Sequence, residues 1–378
     1  MREISLRWMR MMLLVMGVAA LASTPIAATL PAPSQQAAAA PAFEAYSRFD
    51  FVTGETVIAL EDFAQESIGD FPAKWNTNSS GEVVTIANRP GRWLKLTGKG
   101  VWVPEFLTSL PENFTLEYDL LVAPNFVAAD RLSTVFVELE NLKEPAAWGV
   151  ADNRFHFNVY PEAPDGNSQM EPRQGGETQG LNEVVVKRLA PESMPVHLSV
   201  WRQRQRMRVY FNEVKVWDVP RAMSATAKYN AILFSLSNFD AGSEYYIGNL
   251  RLAVGAPDTR NKLVTEGKWV TRGILFDVNS DRVKPESYGA LKEISNVLTE
   301  SPDIKVQIVG HTDSDGDAAQ NLDLSKRRAA AVRTVLMTQF GIDGARLTTD
   351  GKGETQLIDK NETATGKANN RRVEFIKM

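Results

Sequence analysis

The period of the apolar residues changes near position 256, and this change most constrains the fold. Before it, short runs alternate with period two: FTLEYDLLV (114–122), STVFVELE (133–140), NRFHFNVY (153–160), VHLSVWRQ (196–203), MRVYFNEVKVW (207–217), AILFSLSN (231–238) and YYIGNLRLAV (245–254). They are rich in β-branched and aromatic residues, and Pro, Gly, Asn and Asp clusters separate them. Asn212-Glu213 reads as a hairpin turn. Many short strands without a helical stripe predict an all-β sandwich, of jelly-roll type, over 43–255. Residues 256–270 read as a connector. Beyond it strands and helices alternate. ILFDV (274–278), 305–312, 345–354 and 371–378 read as strands, and 285–302 and 321–339 as amphipathic helices. The first helix places Leu291, Ile294, Val297 and Leu298 inward, the second Leu324, Val332, Val335 and Leu336. The expectation is a multidomain chain, with a sandwich followed by an α/β domain at 271–378.

The N-terminus predicts export. Arg2, Arg7 and Arg10 precede an apolar run from Met11 to Ala22, with cleavage expected after Ala22 or Ala28. Residues 1–28 therefore read as a signal peptide and the Pro/Ala-rich 29–42 as a flexible linker. The apolar run falls short of the about 20 residues that span a bilayer, and no later segment approaches that length. The chain has no cysteine, which excludes disulfides, thiol catalysis, zinc–thiolate sites and an N-terminal lipid anchor on Cys. A net charge of −4 argues against a nucleic-acid partner.

The stretch GHTDSDGDAAQNLDLSKRRAAAV (310–332) sets an acidic turn before a cationic helix. Asp313, Asp315 and Asp317 alternate as at the start of a calcium loop, but Gly316 and Leu324 stand where that loop needs other residues, so no metal is expected. His311 reads as a hydrogen-bonded structural group. GKGE (351–354) is a turn rather than a phosphate loop. In the sandwich, Glu138 and Glu140 share a strand face, but Leu142 interrupts a three-acid catalytic pattern. RQRQRMR (202–208) reads as a solvated basic hairpin.

Two resemblances follow from residues in register. GDFPAKWN (69–76), SLPENFTLEYDLLV (109–122), 195–220 and SEYYIGNLRLAVG (243–255) resemble a laminin-G or concanavalin-like sandwich. The C-terminal part resembles the OmpA-like peptidoglycan-binding domain. Its matching residues are Phe276-Asp277 with Asn279; Gly310-His311-Thr312-Asp313; Asn321 with Leu324-Ser325, Arg328-Ala329 and Val332; Gly351 with Gly353-Glu354; and Gly366 with Asn370-Arg371-Arg372-Val373-Glu374. This resemblance implies binding of meso-diaminopimelate in peptidoglycan stem peptides, with Asp313 and Arg328 gripping its zwitterionic end and Asn321 and Asn279 lining the same pocket. Of Arg371 and Arg372, one is expected to pair with Asp277 or Glu354 and the other to face solvent.

Physical chemistry is compatible with that role. An ammonium and a carboxylate on one carbon call for one anion and one cation around a shared gap, and Arg offers carboxylate a rigid, permanently charged fork. Asn321, Ser325 and Arg328 fall on one helix face. A plain structural ion pair between Asp313 and Arg328 is the alternative. The expected protein is a non-enzymatic wall tether without cofactor, periplasmic and outer-membrane associated. Its partners are peptidoglycan and, through the sandwich, a glycan or an outer-membrane protein. A wall-targeted glycan hydrolase and a transmembrane β-barrel over 43–255 are the competing readings.

Overall fold

A computed structural model describes residues 49–107, 109–123, 131–161, 165–187, 189, 195–237, 244–255 and 259–378. The expected signal peptide and linker lie outside them. In chain order the strands are β1 (Thr56–Glu61), β2 (Trp75–Thr77), β3 (Ser80–Ile86), β4 (Arg89–Thr97), β5 (Gly100–Pro104), β6 (Asn113–Val122), β7 (Leu132–Val137), β8 (Arg154–Val159), β9 (Gly166–Gln174), β10 (Glu177–Thr178), β11 (Asn182–Val186), β12 (Val196–Gln203), β13 (Arg206–Phe211), β14 (Val214–Val219), β15 (Ala231–Leu236) and β16 (Tyr245–Val254). Then come α1 (Thr259–Val264), β17 (Lys268–Thr271), α2 (Tyr288–Glu300), β18 (Val306–His311), α3 (Ala318–Thr338), β19 (Leu347–Gly353), α4 (Ala364–Asn370) and β20 (Val373–Lys377).

The first sixteen strands make two antiparallel sheets. One runs β14-β13-β12-β6-β16-β4-β3, with β1 pairing the second half of β16. The other runs β10-β9-β8-β7-β15-β5-β2, with β11 on β9. Their facing side chains form one core. Phe114, Leu116, Tyr118 and Leu120 of β6 meet Phe136, Phe155, Phe157 and Phe234 across the gap. Period-two alternation on β6 thus turns its apolar face into this core, while Thr115 and Glu117 on the opposite face are buried as well. The outer face of the second sheet is apolar too, and Trp148 of the 3₁₀ turn Pro145–Val150 covers part of it.

The third sheet, β17-β20-β18-β19, has one parallel pair, β18 with β19. α2 and α3 pack on it through Leu291, Ile294, Val297, Leu298, Ala329, Val332 and Leu336. The expected strand 274–278 is a loop. Asn279 takes a positive φ of 52°, and the chain turns back so that Phe276 bridges only Val283. The expected connector supplies α1 and the edge strand β17. α3 begins three residues earlier than expected because Asp317 caps it, accepting from the Gln320 amide at 2.9 Å. Leu324 and Val335 are only half-buried.

The sandwich and the third sheet belong to one compact unit. The joint runs through residues 49–57. Phe49 and Phe51 stack edge-on against Tyr210 on the outer face of the first sheet, with centroids 5.5 Å apart. α2 rests on the other side of this segment, so closely that a Cβ on Gly289 would stand 1.6 Å from the Phe51 carbonyl oxygen. Asn369 of α4 bonds both backbone groups of Val57, at 3.0 and 3.1 Å.

Beneath the joint lies a buried charge network. Register puts His197 opposite Asp119, with Nδ1 2.7 Å from Oδ1. Arg251 meets Glu117 at 2.7 Å, and Thr53 Oγ1 donates to Glu117 at 2.6 Å. Burial alone would raise the Glu117 pKa, yet Arg251 and His197 bring it down to about 2. Burial alone would lower that of His197, but Asp119 and Glu117 raise it to about 10. Charges removed from water need such partners.

Candidate functional site

The site forms where the C-terminal end of β18, the turn 312–317, α3 and the loop 276–282 converge. α3 can approach because Gly310 lacks a side chain: a Cβ there would stand 2.2 Å from the Ser325 carbonyl oxygen. Ser325 Oγ then accepts from the Gly353 amide at 2.9 Å and ties the helix to β19.

Arg328 leaves α3 over the Phe276 ring, 4.8 Å from its centroid, a favourable place for a cation. Its Nε donates to the Ser280 carbonyl at 2.9 Å and its Nη2 to that of Asp277 at 3.4 Å. It has no carboxylate in ion-pair contact among the described residues. Burial first, and Arg371 second, lower its pKa to about 10, while Asp313 acts in the opposite direction. Asp313 is buried, and its Oδ2 accepts from Arg371 Nη1 at 2.5 Å. The two residues expected to grip a zwitterion are thus not paired with each other. Asp313, Arg371 and Arg328 share a neighbourhood of one anion and two cations, and among the described residues Arg328 has no carboxylate in direct contact.

The other expected residues divide. Asn321 and Asn279 line a separate hollow beside Asp315 and Arg327. Asn321 is buried and spends its amide on the Asp315 carbonyl at 3.0 Å and Glu354 at 2.7 Å, which shapes the turn. Thr312 is buried, its amide bonded to the Gly353 carbonyl. Asn370 accepts the amides of Ile358 and Asp359 and fixes their loop.

His311 was expected to be hydrogen-bonded, yet its fully buried ring makes no hydrogen bond. Nε2 stands 3.6 Å from Glu374 Oε1. The expected partners of the two arginines also differ. Arg372 is buried and donates to Glu374 at 2.8 Å, because residues two apart on a strand share a face. Arg371 binds Asp313 and is half-exposed, Asp277 pairs with Arg282, and Glu354 with Asn321. Burial disfavours the Glu374 anion, but His311, Lys268 and Arg372 outweigh that and hold its carboxyl well below the usual range.

The three acids of the turn have separate partners. Asp313 meets Arg371, Asp315 meets Lys367 at 2.8 Å, and Asp317 caps α3. In the sandwich, Glu138 lies beyond β7 and accepts from Asn153 and the Lys228 amide, both at 2.9 Å, so it holds loops together. The basic run is not a solvated face throughout. Arg202 is buried over the Tyr229 ring, and Arg206 makes a two-point contact with Asp218.

Residues 275–371 match the model of the OmpA family, and this segment is an OmpA-family domain. Among curated proteins, the chain is 40% identical over 111 residues to outer membrane porin F of Pseudomonas aeruginosa, covering 29% of this chain and 32% of the porin. It is 43% identical over 102 residues to the probable lipoprotein YiaD of Escherichia coli, covering 27% of this chain and 46% of that one. The chain therefore spans less than half the length of either relative. The crystal structure of the peptidoglycan-associated lipoprotein from Burkholderia pseudomallei is similar at 24% identity and a TM-score of 0.27, covering 32% of this chain and 98% of that one.

Proposed function

We propose that the OmpA-family domain holds peptidoglycan non-covalently through the meso-diaminopimelate of its stem peptides and tethers the envelope to the wall. Arg328 carries this reading. It is a guanidinium fixed by two backbone carbonyls and an aromatic ring, with no carboxylate in contact among the described residues, beside the Asp313–Arg371 pair. A ligand carboxylate completes Arg328, and the ligand ammonium meets Asp313. Asn321 and Asn279 act at one remove, by fixing the turn and the loop that flank the two charges. The protein works in the periplasm, associated with the outer membrane, and the sandwich contacts a glycan or protein partner there. Binding, not catalysis, is its activity.

Co-sedimentation of the mature chain with purified sacculi tests this. The native chain pellets. Asp313→Ala and Arg328→Ala each weaken binding tenfold or more, and free diaminopimelate competes. If both variants pellet like the native chain, the assignment is wrong.

A further inference from the structure

A cavity of about 170 Å³ opens between the sandwich and the OmpA-family domain. Arg251, Arg272, Arg328, Arg371, Arg372 and His311 line it, and no carboxylate does. Outside the lining, Glu117 serves Arg251, Glu374 serves Arg372 and Asp313 serves Arg371. Among the described residues, Arg272 and Arg328 have no carboxylate in contact and donate only to backbone carbonyls. Arg272 donates to those of Asn369 and Glu55. Burial, then Arg372 and Arg251, lower the Arg272 pKa to about 10. Among the described residues, two polar groups on the cavity wall also make no hydrogen bond: the buried Nη2 of Arg251 and the fully buried His311 ring, whose Nε2 has only a long 3.6 Å contact with Glu374. Buried donors without acceptors are costly, and a cluster of cations facing a hollow gathers an anion. The volume is below the ~300–1,000 Å³ typical of drug-sized ligands, so it suits an end group rather than a glycan strand.

We infer that this cavity is a second carboxylate subsite, in which Arg272, Arg251 and His311 take the α-carboxylate that continues the stem peptide while Arg328 and Asp313 hold the zwitterionic end. The inference rests on the wall-binding reading and adds that the sandwich supplies part of the site. The protein thereby distinguishes a stem peptide that ends at diaminopimelate with a free carboxylate from one in which that carboxylate is amidated.

Calorimetric titration of the mature chain with two peptides tests it. One is the tripeptide L-Ala–γ-D-Glu–meso-diaminopimelate. The other is the same tripeptide amidated at the carboxylate that continues the chain, with the zwitterionic end intact. The free acid binds the native chain at least tenfold tighter. Arg272→Gln brings the ratio to within twofold, chiefly by weakening the acid. Leu60→Glu, which sets a carboxylate on the cavity wall from β1 and leaves every arginine in place, does the same. Asp313→Asn weakens both peptides alike. A native ratio within twofold overturns the inference and leaves the wall-binding reading intact, as does a ratio that persists in both cavity variants. Failure of both peptides to bind the native chain overturns the two together.

Discussion

Gly289→Ala gives a sharp test of the joint, because two physical arguments predict opposite signs. In an exposed helix the change stabilises by about 1 kcal/mol, through helix propensity. Here Gly289 lies in the first turn of α2, and its added Cβ would meet the Phe51 carbonyl oxygen at 1.6 Å and the carbonyl carbon at 2.7 Å. Backbone atoms cannot rotate aside, so α2 or the segment 49–54 must shift by more than an ångström. Overpacking of this kind costs about 1–3 kcal/mol. If the shift also exposes Phe51, now 3% exposed, about 2 kcal/mol more is lost. The net effect is a destabilisation of roughly 3 kcal/mol after the propensity gain. At about 2–4 °C per kcal/mol for chains of this order of size, calorimetry should record a fall of roughly 6–12 °C. Gly149→Ala, where a Cβ meets nothing within 4 Å, should leave the transition unchanged. An unfolding temperature for Gly289→Ala equal to or above that of the native chain would refute the close packing of α2 on residues 49–54.

Two other outcomes follow from the paired charges. Arg371→Ala removes the cation facing Asp313, and because its side chain is 44% exposed it should cost under about 1 kcal/mol of stability while weakening sacculus binding three- to tenfold in the co-sedimentation assay. The buried network predicts a pH window. His197 is raised from 6.5 to about 10, so its contribution is complete below pH 6.5 and is lost as pH rises toward 10; Glu117 is lowered from 4.5 to about 2, so its contribution is complete above pH 4.5 and is lost as pH falls toward 2. Denaturant unfolding across pH should therefore find this network's contribution greatest between about pH 4.5 and 6.5, and His197→Gln should flatten the alkaline decline. A decline of equal slope in that variant would assign it to other groups.

The sandwich strands were legible where one face was apolar, as on β6, whose Phe114, Leu116, Tyr118 and Leu120 point inward. β9 was not legible. Its inward positions include Gly166, Ser168 and Pro172, and the hydroxyl of Ser168 is satisfied by the Asn158 carbonyl and by Trp217 Nε1 rather than by an apolar neighbour. The first turn of α3 was not legible because Ala318, Ala319 and Gln320 are exposed and add nothing to an apolar stripe. In the site, the residue types were readable from the motif order, but the pairing was not. Asp313 and Arg371 are 58 positions apart, and their meeting depends on where β20 starts beside β18. The charge on the outer face of the first sheet was invisible as well, because Thr115, Glu117, Asp119 and His197 alternate with apolar residues as any solvated face would.

That concealed polar face bears on how the two parts cooperate. An apolar joint would bury the same area with fewer orientational demands, whereas ion pairs removed from water are stable only in geometries that satisfy every partner. Here the partners come from both sides: Thr53 and Arg251 reach Glu117, Asn369 clasps Val57, and Arg272 reaches the carbonyl of Glu55. The same arginines that fix the joint, Arg251 and Arg272, turn their remaining valence to the cavity next to Arg328. An anion bound there offsets repulsion among the guanidiniums. An anion that bound only the assembled arrangement, as proposed, would stabilise it by an amount that grows with the logarithm of free ligand over Kd. On the proposed reading, wall binding and the docking of the sandwich are linked, and each favours the other by the same coupling free energy.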